Sequence, residues 1–359
     1  MDRRKFLKTA GASALVAGAA VAPAVHAKKK IKWKMVTAWP KNFPGVGTGA
    51  EFLANLIDEM SDGRIKVKVY AAGELVPPFE VFDAVSSGTA QMGHAASLYW
   101  KGKNAATQFF TGVPFGLTSQ EMTAWLHYGG GMKLWQELYA QFNLVPAAAG
   151  NSGVQMAGWF NKEINSLSDL QGLKMRIPGI GGEVIKRAGG TPVNIPGGEI
   201  FSALKSGTVD ATEFIGPYND LAFGFYKAAK YYYYPGWQEP GSSLEITINK
   251  KELESLPKDL QSIVKQACRV SADELSAEYT ARNASALQTL TDKHKVQVKK
   301  LPDDVLKKLH EISNEVVSEM ASKDAFVKKV FQSVQTFQRQ AIEWHNISER
   351  AYLNARVLS

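Results

Sequence analysis

Three polar residues stand in stretches that otherwise read as buried strand. In Leu173-Lys174-Met175-Arg176-Ile177 the alternation sends Leu173, Met175 and Ile177 to one face and Arg176 to the other, just ahead of a turn at Pro178-Gly179. A guanidinium at the end of such a strand is a good fork for a carboxylate. In Val209-Asp210-Ala211-Thr212-Glu213-Phe214, Glu213 shares a face with Val209 and Ala211. A carboxylate there is costly unless it is paired or bound to a metal. Gln155 sits inside the strand-like run Gly153–Gly158. Taken alone these residues leave alternatives open: a surface ion pair accounts for Arg176 equally well, and a core hydrogen bond accounts for Gln155 better than a ligand does.

Other chemistries lack their residues. The one cysteine, Cys268, excludes an internal disulfide, a CxxC pair and a cysteine zinc site. The six histidines are isolated, with no HExxH. Gly150-Asn151-Ser152-Gly153 places its second glycine one position early for a nucleophile elbow. Gly45-Val46-Gly47-Thr48-Gly49 lies where a phosphate cradle would sit, but it lacks the third glycine of GxGxxG and a following Gly-Lys-Ser/Thr. It reads as a loop leading into a helix.

The elements that must position the polar residues are of α/β type. Ile31 to Ala38 reads as a strand, the apolar period through Phe52, Leu53, Leu56, Ile57 and Met60 as a helix, and Ile65-Val67-Val69 as a second strand, a β-α-β start that implies a parallel sheet. The segment Val81–Gln91 recurs as Ile200–Asp210, 119 residues later, and Pro77 and Glu80 match Pro196 and Glu199 at the same offset. Each copy opens a helix, closes it on Ser-Gly-Thr and runs into a strand. Two equivalent α/β lobes follow, with a ligand expected in the cleft between them, beyond the strands' C-terminal ends. From Lys251 onward the periodicity is helical, with stripes at Leu256, Leu260, Ile263 and Val264, at Val305, Leu309, Ile312 and Val316, and in a third run from Phe326 to Tyr352.

At the N-terminus, Arg3-Arg4-Lys5-Phe6-Leu7-Lys8, a weakly apolar stretch and Val25-His26-Ala27 read as a cleavable export signal of twin-arginine type over residues 1–27. No apolar run of spanning length follows it. Its removal lowers the formal net charge from +8 to +5. The remaining lysines interleave with acids, which suits an anionic ligand and argues against a nucleic-acid partner.

At Gly150–Phe160, Leu167–Ile177 and Val209–Tyr218 the chain resembles the solute-binding subunit of TRAP transporters, and at Tyr231–Glu239 the subgroup that binds 2-oxo acids with a cation. The resemblance covers essentially the whole mature chain. It implies a two-lobed periplasmic binding protein fold: lobe I over 28–153 and 244–285, lobe II over 154–243, and C-terminal helices over 286–359 that pack across the lobes and onto a homodimer partner. It implies further that Arg176 grips the ligand carboxylate. Gln155, Glu213 and the Phe214 carbonyl hold the cation, with Glu239 at an acidic position nearby, and Asn151, Tyr99, Trp100 and Tyr218 line the pocket. The subgroup commonly has tryptophan where this chain has Phe214. Sodium is the expected cation and calcium the alternative, since oxygen donors suit hard ions. The implied role is non-enzymatic: delivery of a small 2-oxo acid to TRAP permease membrane subunits, with closure hinging near 154–160 and 244–248. The rivals are lactate or another monocarboxylate held with calcium, and a periplasmic cofactor-dependent enzyme, which the missing cofactor motif disfavours.

Overall fold

The computed structural model describes residues 30–358, so the export signal expected over 1–27 lies outside the described residues. The chain first lays down β1 (Ile31–Thr37), α1 (Val46–Met60), β2 (Ile65–Tyr70), α2 (Val81–Ser86), β3 (Met92–Ala95), α3 (Ser119–Tyr128), α4 (Gly131–Ala140) and β4 (Leu144–Asn151). It then crosses to β5 (Gly158–Phe160), β6 (Lys174–Arg176), α5 (Gly179–Arg187), β7 (Thr191–Val193), α6 (Gly197–Ser206), β8 (Ala211–Thr212), α7 (Pro217–Phe223) and β9 (Tyr231–Tyr234). It returns through β10 (Ser243–Asn249) and finishes with α8 (Lys250–Ser255), α9 (Lys258–Asp292), β11 (Gln297–Lys300), α10 (Asp303–Lys323), α11 (Ala325–Ile347) and α12 (Glu349–Ala355).

Two sheets result, in the orders β2-β1-β3-β10-β4 and β11-β9-β5-β8-β6-β7. They are built on one plan. In the first, β1 lies parallel between β2 and β3, and β10 arrives from the other lobe to run antiparallel to β3 and β4. In the second, β6 lies parallel between β7 and β8, and β5 arrives from the first lobe to run antiparallel to β8 and β9. The chain therefore enters each sheet from the other lobe through one antiparallel strand. This is the two-lobed α/β fold expected from the internal repeat.

The repeat persists down to single hydrogen bonds. Ser87 and Thr89 share a hydroxyl contact at 3.2 Å, and Ser206 and Thr208 share one at 2.9 Å. Ala90 N–H donates to Ala84 and Val209 N–H to Ala203, closing the same turn after each helix. Gln91 accepts through its side chain from the Lys34 amide, as Asp210 does from the Lys174 amide. The Ser-Gly-Thr signature is thus a device that turns a helix into the next strand and ties it to its parallel neighbour.

Four local readings change. Gly47 and Gly49 lie inside α1 rather than in a loop before it. A side chain at Gly47 would meet the Pro40 carbonyl at 2.9 Å and one at Gly49 would meet Leu275 at 3.3 Å, so these glycines permit close packing. Gln155 falls in the irregular crossing between β4 and β5, not in a strand. The return crossing is residues 235–242, ahead of Leu244–Ile248, which is held in the β10 ladder between β3 and β4. Within the otherwise helical C-terminal region, β11 adds an edge strand parallel to β9.

Helix α9 has 35 residues, about 50 Å at 1.5 Å per residue, and packs on β4 and α1 of the first lobe and on α7 of the second. Helix α10 buries Val305, Leu309, Ile312 and Val316 and lies on α5. Helix α11 turns back onto the first lobe, where Trp125 donates to Ser333 at 3.1 Å and Lys329 pairs with Glu137 at 2.7 Å. The run expected from Phe326 to Tyr352 breaks at Ser348 into α11 and α12.

Candidate functional site

Arg176 is the last residue of β6, set by its register against Val193 of β7 and Thr212 of β8, so its side chain leaves the C-terminal edge of the sheet. It is 1% exposed. Its Nε donates to the Ile195 carbonyl at 3.2 Å, and Nη1 donates to the Glu213 carbonyl at 2.9 Å and to Glu213 Oε1 at 2.5 Å. The Phe214 ring lies 5.6 Å from its Cζ. Nη2 has no partner.

Glu213 follows β8 and is equally buried. Burial pushes its carboxyl upward, the Arg176 guanidinium opposes that, and the nearby Glu239 adds to it. Its Oε2 has no hydrogen-bond partner among the described residues. Gln155 reaches in from the first crossing: its Nε2 donates to Glu239 Oε2 at 3.0 Å and to Ser152 Oγ at 3.3 Å, which leaves its Oε1 unsatisfied. Glu239, on the return crossing, also accepts from Ser242 Oγ at 2.6 Å, and burial raises its pKa. The two crossings between lobes therefore meet at the site.

These groups surround a small cavity of about 20 Å³ whose wall also includes Trp39, Tyr99 and Phe214. The Trp39 indole donates to His94 Nδ1 at 2.7 Å; burial holds the imidazole near 3, so it is a neutral acceptor. Burial pushes the Tyr99 hydroxyl up to about 12, so Tyr99 stays a neutral wall group.

The cavity thus gathers Tyr99, Gln155, Arg176, Glu213, Phe214 and Glu239. Asn151, Trp100 and Tyr218, expected to line it, stand elsewhere. The Asn151 side chain donates to the Gly241 carbonyl at 3.0 Å and accepts from the Gly153 amide at 2.9 Å, so it braces the two crossings. Trp100 is packed against Phe82, and its indole donates to the Glu245 carboxylate in the first lobe's core. Tyr218 donates to Glu278 on α9 at 2.8 Å. Trp39 and Ser242 were not anticipated; the position of Trp39, just past the C-terminal end of β1, was the available signal.

Buried polar atoms in native proteins nearly always have partners. Here Arg176, Gln155 and Glu213, which all line one cavity, each keep one buried polar atom without a partner among the described residues: the donor Nη2 and the oxygens Oε1 and Oε2. An anion would complete the first and a cation the other two. Among the described residues no three His, Cys, Asp or Glu side chains form a metal-holding group. The donor set is instead carboxylate and amide oxygen, which fits a hard ion such as sodium or calcium.

Two α/β lobes joined by two chain crossings, with a charged cavity where the crossings meet, define a two-lobed solute-binding protein. Residues 35–324 match the family model described as bacterial extracellular solute-binding protein, family 7, and the chain belongs to that family, the solute-binding component of TRAP transporters. It is 44% identical over 324 residues to the monocarboxylate 2-oxoacid-binding periplasmic protein of Nostoc sp., covering 90% of this chain and 88% of the relative. A TRAP periplasmic solute-binding protein of Pseudoalteromonas atlantica, solved with bound sodium and pyruvate, superposes with a TM-score of 0.89 at 43% identity over 91% of this chain and 99% of that one. One from Bordetella bronchiseptica, a dimer with calcium and picolinate in one site, gives 0.89 at 39% identity over 91% and 97%.

Proposed function

We propose that the protein binds a small 2-oxo acid, pyruvate or one close to it in size, together with a hard cation, and hands it to TRAP permease subunits without chemical change. The observation that carries this is the trio of unpartnered atoms in one cavity: a guanidinium N–H for the carboxylate, and two oxygens for the ion. A 2-oxo acid offers the ion two adjacent oxygens while Arg176 takes the carboxylate. The ion would be held by Gln155 Oε1, Glu213 Oε2 and the Phe214 carbonyl, with Glu239 orienting Gln155. Sodium is our first assignment and calcium the alternative; relatives are solved with each. The ion also offsets repulsion between Glu213 and the acid, about 4 kcal/mol for charges 4 Å apart at an effective dielectric of 20.

We infer a periplasmic location from the expected export signal and the periplasmic relatives; among the described residues no helix is long and apolar enough to cross a membrane. The lobe boundaries at 153/154 and 243/244, with the helical region after 285 bridging both lobes, belong to the same proposal. So does a homodimer, for which the exposed Trp344 (60%) and Ile347 (76%) at the end of α11 supply an apolar face and the Bordetella dimer a precedent.

The test is titration of ligand-stripped protein with pyruvate, longer 2-oxo acids, lactate and succinate, with sodium or calcium present or omitted. Tight pyruvate binding that requires the cation supports the reading. Equal affinity with and without either ion removes the cation from it. Light scattering of the wild type and Ile347→Glu tests the dimer.

A further inference from the structure

The loop joining β1 to α1, residues 40–44, reaches from the first lobe to α7 of the second. Asn219 on α7 is fully buried, and its Nδ2 donates to the Pro44 carbonyl at 2.7 Å across 175 residues of chain. Its Oδ1 accepts from the Tyr279 hydroxyl of α9, also at 2.7 Å. A proline carbonyl only accepts, so the amide orientation is fixed by its neighbours. Beside this link Phe43 stacks on Phe223, ring centroids 4.1 Å apart, and meets Phe214 edge-on at 6.2 Å. The approach is built in: Gly45 has φ 73°, and a Cβ there would lie 2.8 Å from the Tyr279 ring. Phe43, Asn219, Phe223 and Tyr279 do not line the cavity that holds Arg176 and Glu213.

We propose that Asn219, with Phe43 and Phe223 beside it, is a clasp between the lobes that sets how long the closed cleft retains its ligand without touching that ligand. Asn219 is a positioning residue. Opening the cleft draws the 40–44 loop away from α7, which breaks the Asn219–Pro44 bond and exposes the stacked rings. Contacts made only in the closed state act on release and leave the first encounter with the open form unchanged. Tyr279 ties the same node to α9, the helix that packs on both lobes. The proposal rests on the cleft being the ligand site.

The experiment is stopped-flow tryptophan fluorescence of the whole mature protein with pyruvate, in sodium chloride and again with calcium chloride added. Asn219→Ala should raise the release rate about tenfold, the worth of one buried hydrogen bond, with the association rate within about twofold of wild type. Phe223→Leu, which keeps an apolar side chain and loses the stack, should shift the release rate in the same direction. Small-angle scattering should show unliganded Asn219→Ala more open than wild type and the two alike when saturated. Wild-type release rates in both variants overturn the clasp. If the wild-type protein binds no pyruvate, the ligand assignment fails, and the unliganded scattering alone decides the clasp: an unchanged radius of gyration overturns it.

Discussion

Arg176 spends one terminal nitrogen on Glu213 twice, at 2.5 Å on the carboxylate and 2.9 Å on the backbone carbonyl, and keeps the other terminal nitrogen free. With Ile195 holding Nε, the guanidinium is fixed at three points before any ligand arrives. Lysine keeps the charge and cannot reproduce the fork, because one ammonium cannot reach all three acceptors and still present a free edge. Arg176→Lys should weaken pyruvate binding at least about a hundredfold, or about 2.7 kcal/mol. Arg176→Ala should abolish binding and cost about 3–5 kcal/mol of stability by stranding Glu213. Calorimetry for the first and urea unfolding for the second check these; a lysine variant within about tenfold of wild type would show that the planar fork is not needed.

Glu213 lines the cavity and divides its oxygens, Oε1 pairing with Arg176 and Oε2 without a partner among the described residues, the oxygen the proposed function gives to the cation. Glu213→Gln keeps the shape and removes the charge a cation would seek. The variant should bind pyruvate with an affinity that no longer depends on sodium or calcium. Titrations over a range of salt at constant ionic strength measure this; a variant whose affinity still rises with the cation would place the ion on other oxygens.

What a sequence discloses here depends on the range of the contact. Arg176 was readable because strand alternation fixes the face it takes and the following turn marks the sheet edge, both local facts. The repeat was readable because the Ser-Gly-Thr turn is set by residues within a few positions of one another. The family resemblance places Asn151 and Trp100 in the pocket, and nothing near them in sequence reveals their partners Gly241, 90 residues away, and Glu245, 145 residues away. Gln155 lies in a crossing with no period to read. β11 has four residues, two of them lysines, at a sheet edge, and Val298 is its one apolar side chain.

Phe214 forms the cavity wall because Gly197 leaves room behind it. A Cβ at position 197 would stand 2.8 Å from the Phe214 ring. On the ring's other sides, Phe43, Phe223 and Trp39 meet it edge-on at 6.2, 5.0 and 6.5 Å, so it has little space to retreat. Gly197→Ala should therefore push the ring toward the cavity and weaken pyruvate binding about tenfold, with about 1–3 kcal/mol of overpacking cost. Phe214→Ala should do the reverse for size, shifting preference from pyruvate to longer 2-oxo acids. Competition between pyruvate and 2-oxohexanoate reads both variants, and an unchanged preference in Phe214→Ala would show that this wall does not set ligand length.

Glu245 lies in the first lobe's core, fully buried on β10, where the Tyr139 hydroxyl donates to it at 2.8 Å and the Trp100 indole donates as well. Burial raises its carboxyl to about 7, the two donors pulling the other way. The folded protein thus holds a proton there more tightly than the unfolded chain, whose value is near 4.5. Stability from this group is complete below the unfolded value and is lost as pH rises through 7. Asp220, raised to about 7 by burial in the second lobe, adds a loss of the same sign, so the wild-type trend is shared. Glu245→Gln isolates one share of it: the amide cannot ionise, Trp100 can keep its acceptor, and the Tyr139 hydroxyl can turn to accept. The variant should be less stable than wild type at pH 5.5, where the protonated acid is well satisfied, and the gap should narrow by pH 8.5. Urea unfolding at both values measures it; curves that fall in parallel would show that the Glu245 carboxyl keeps its charge state across the interval.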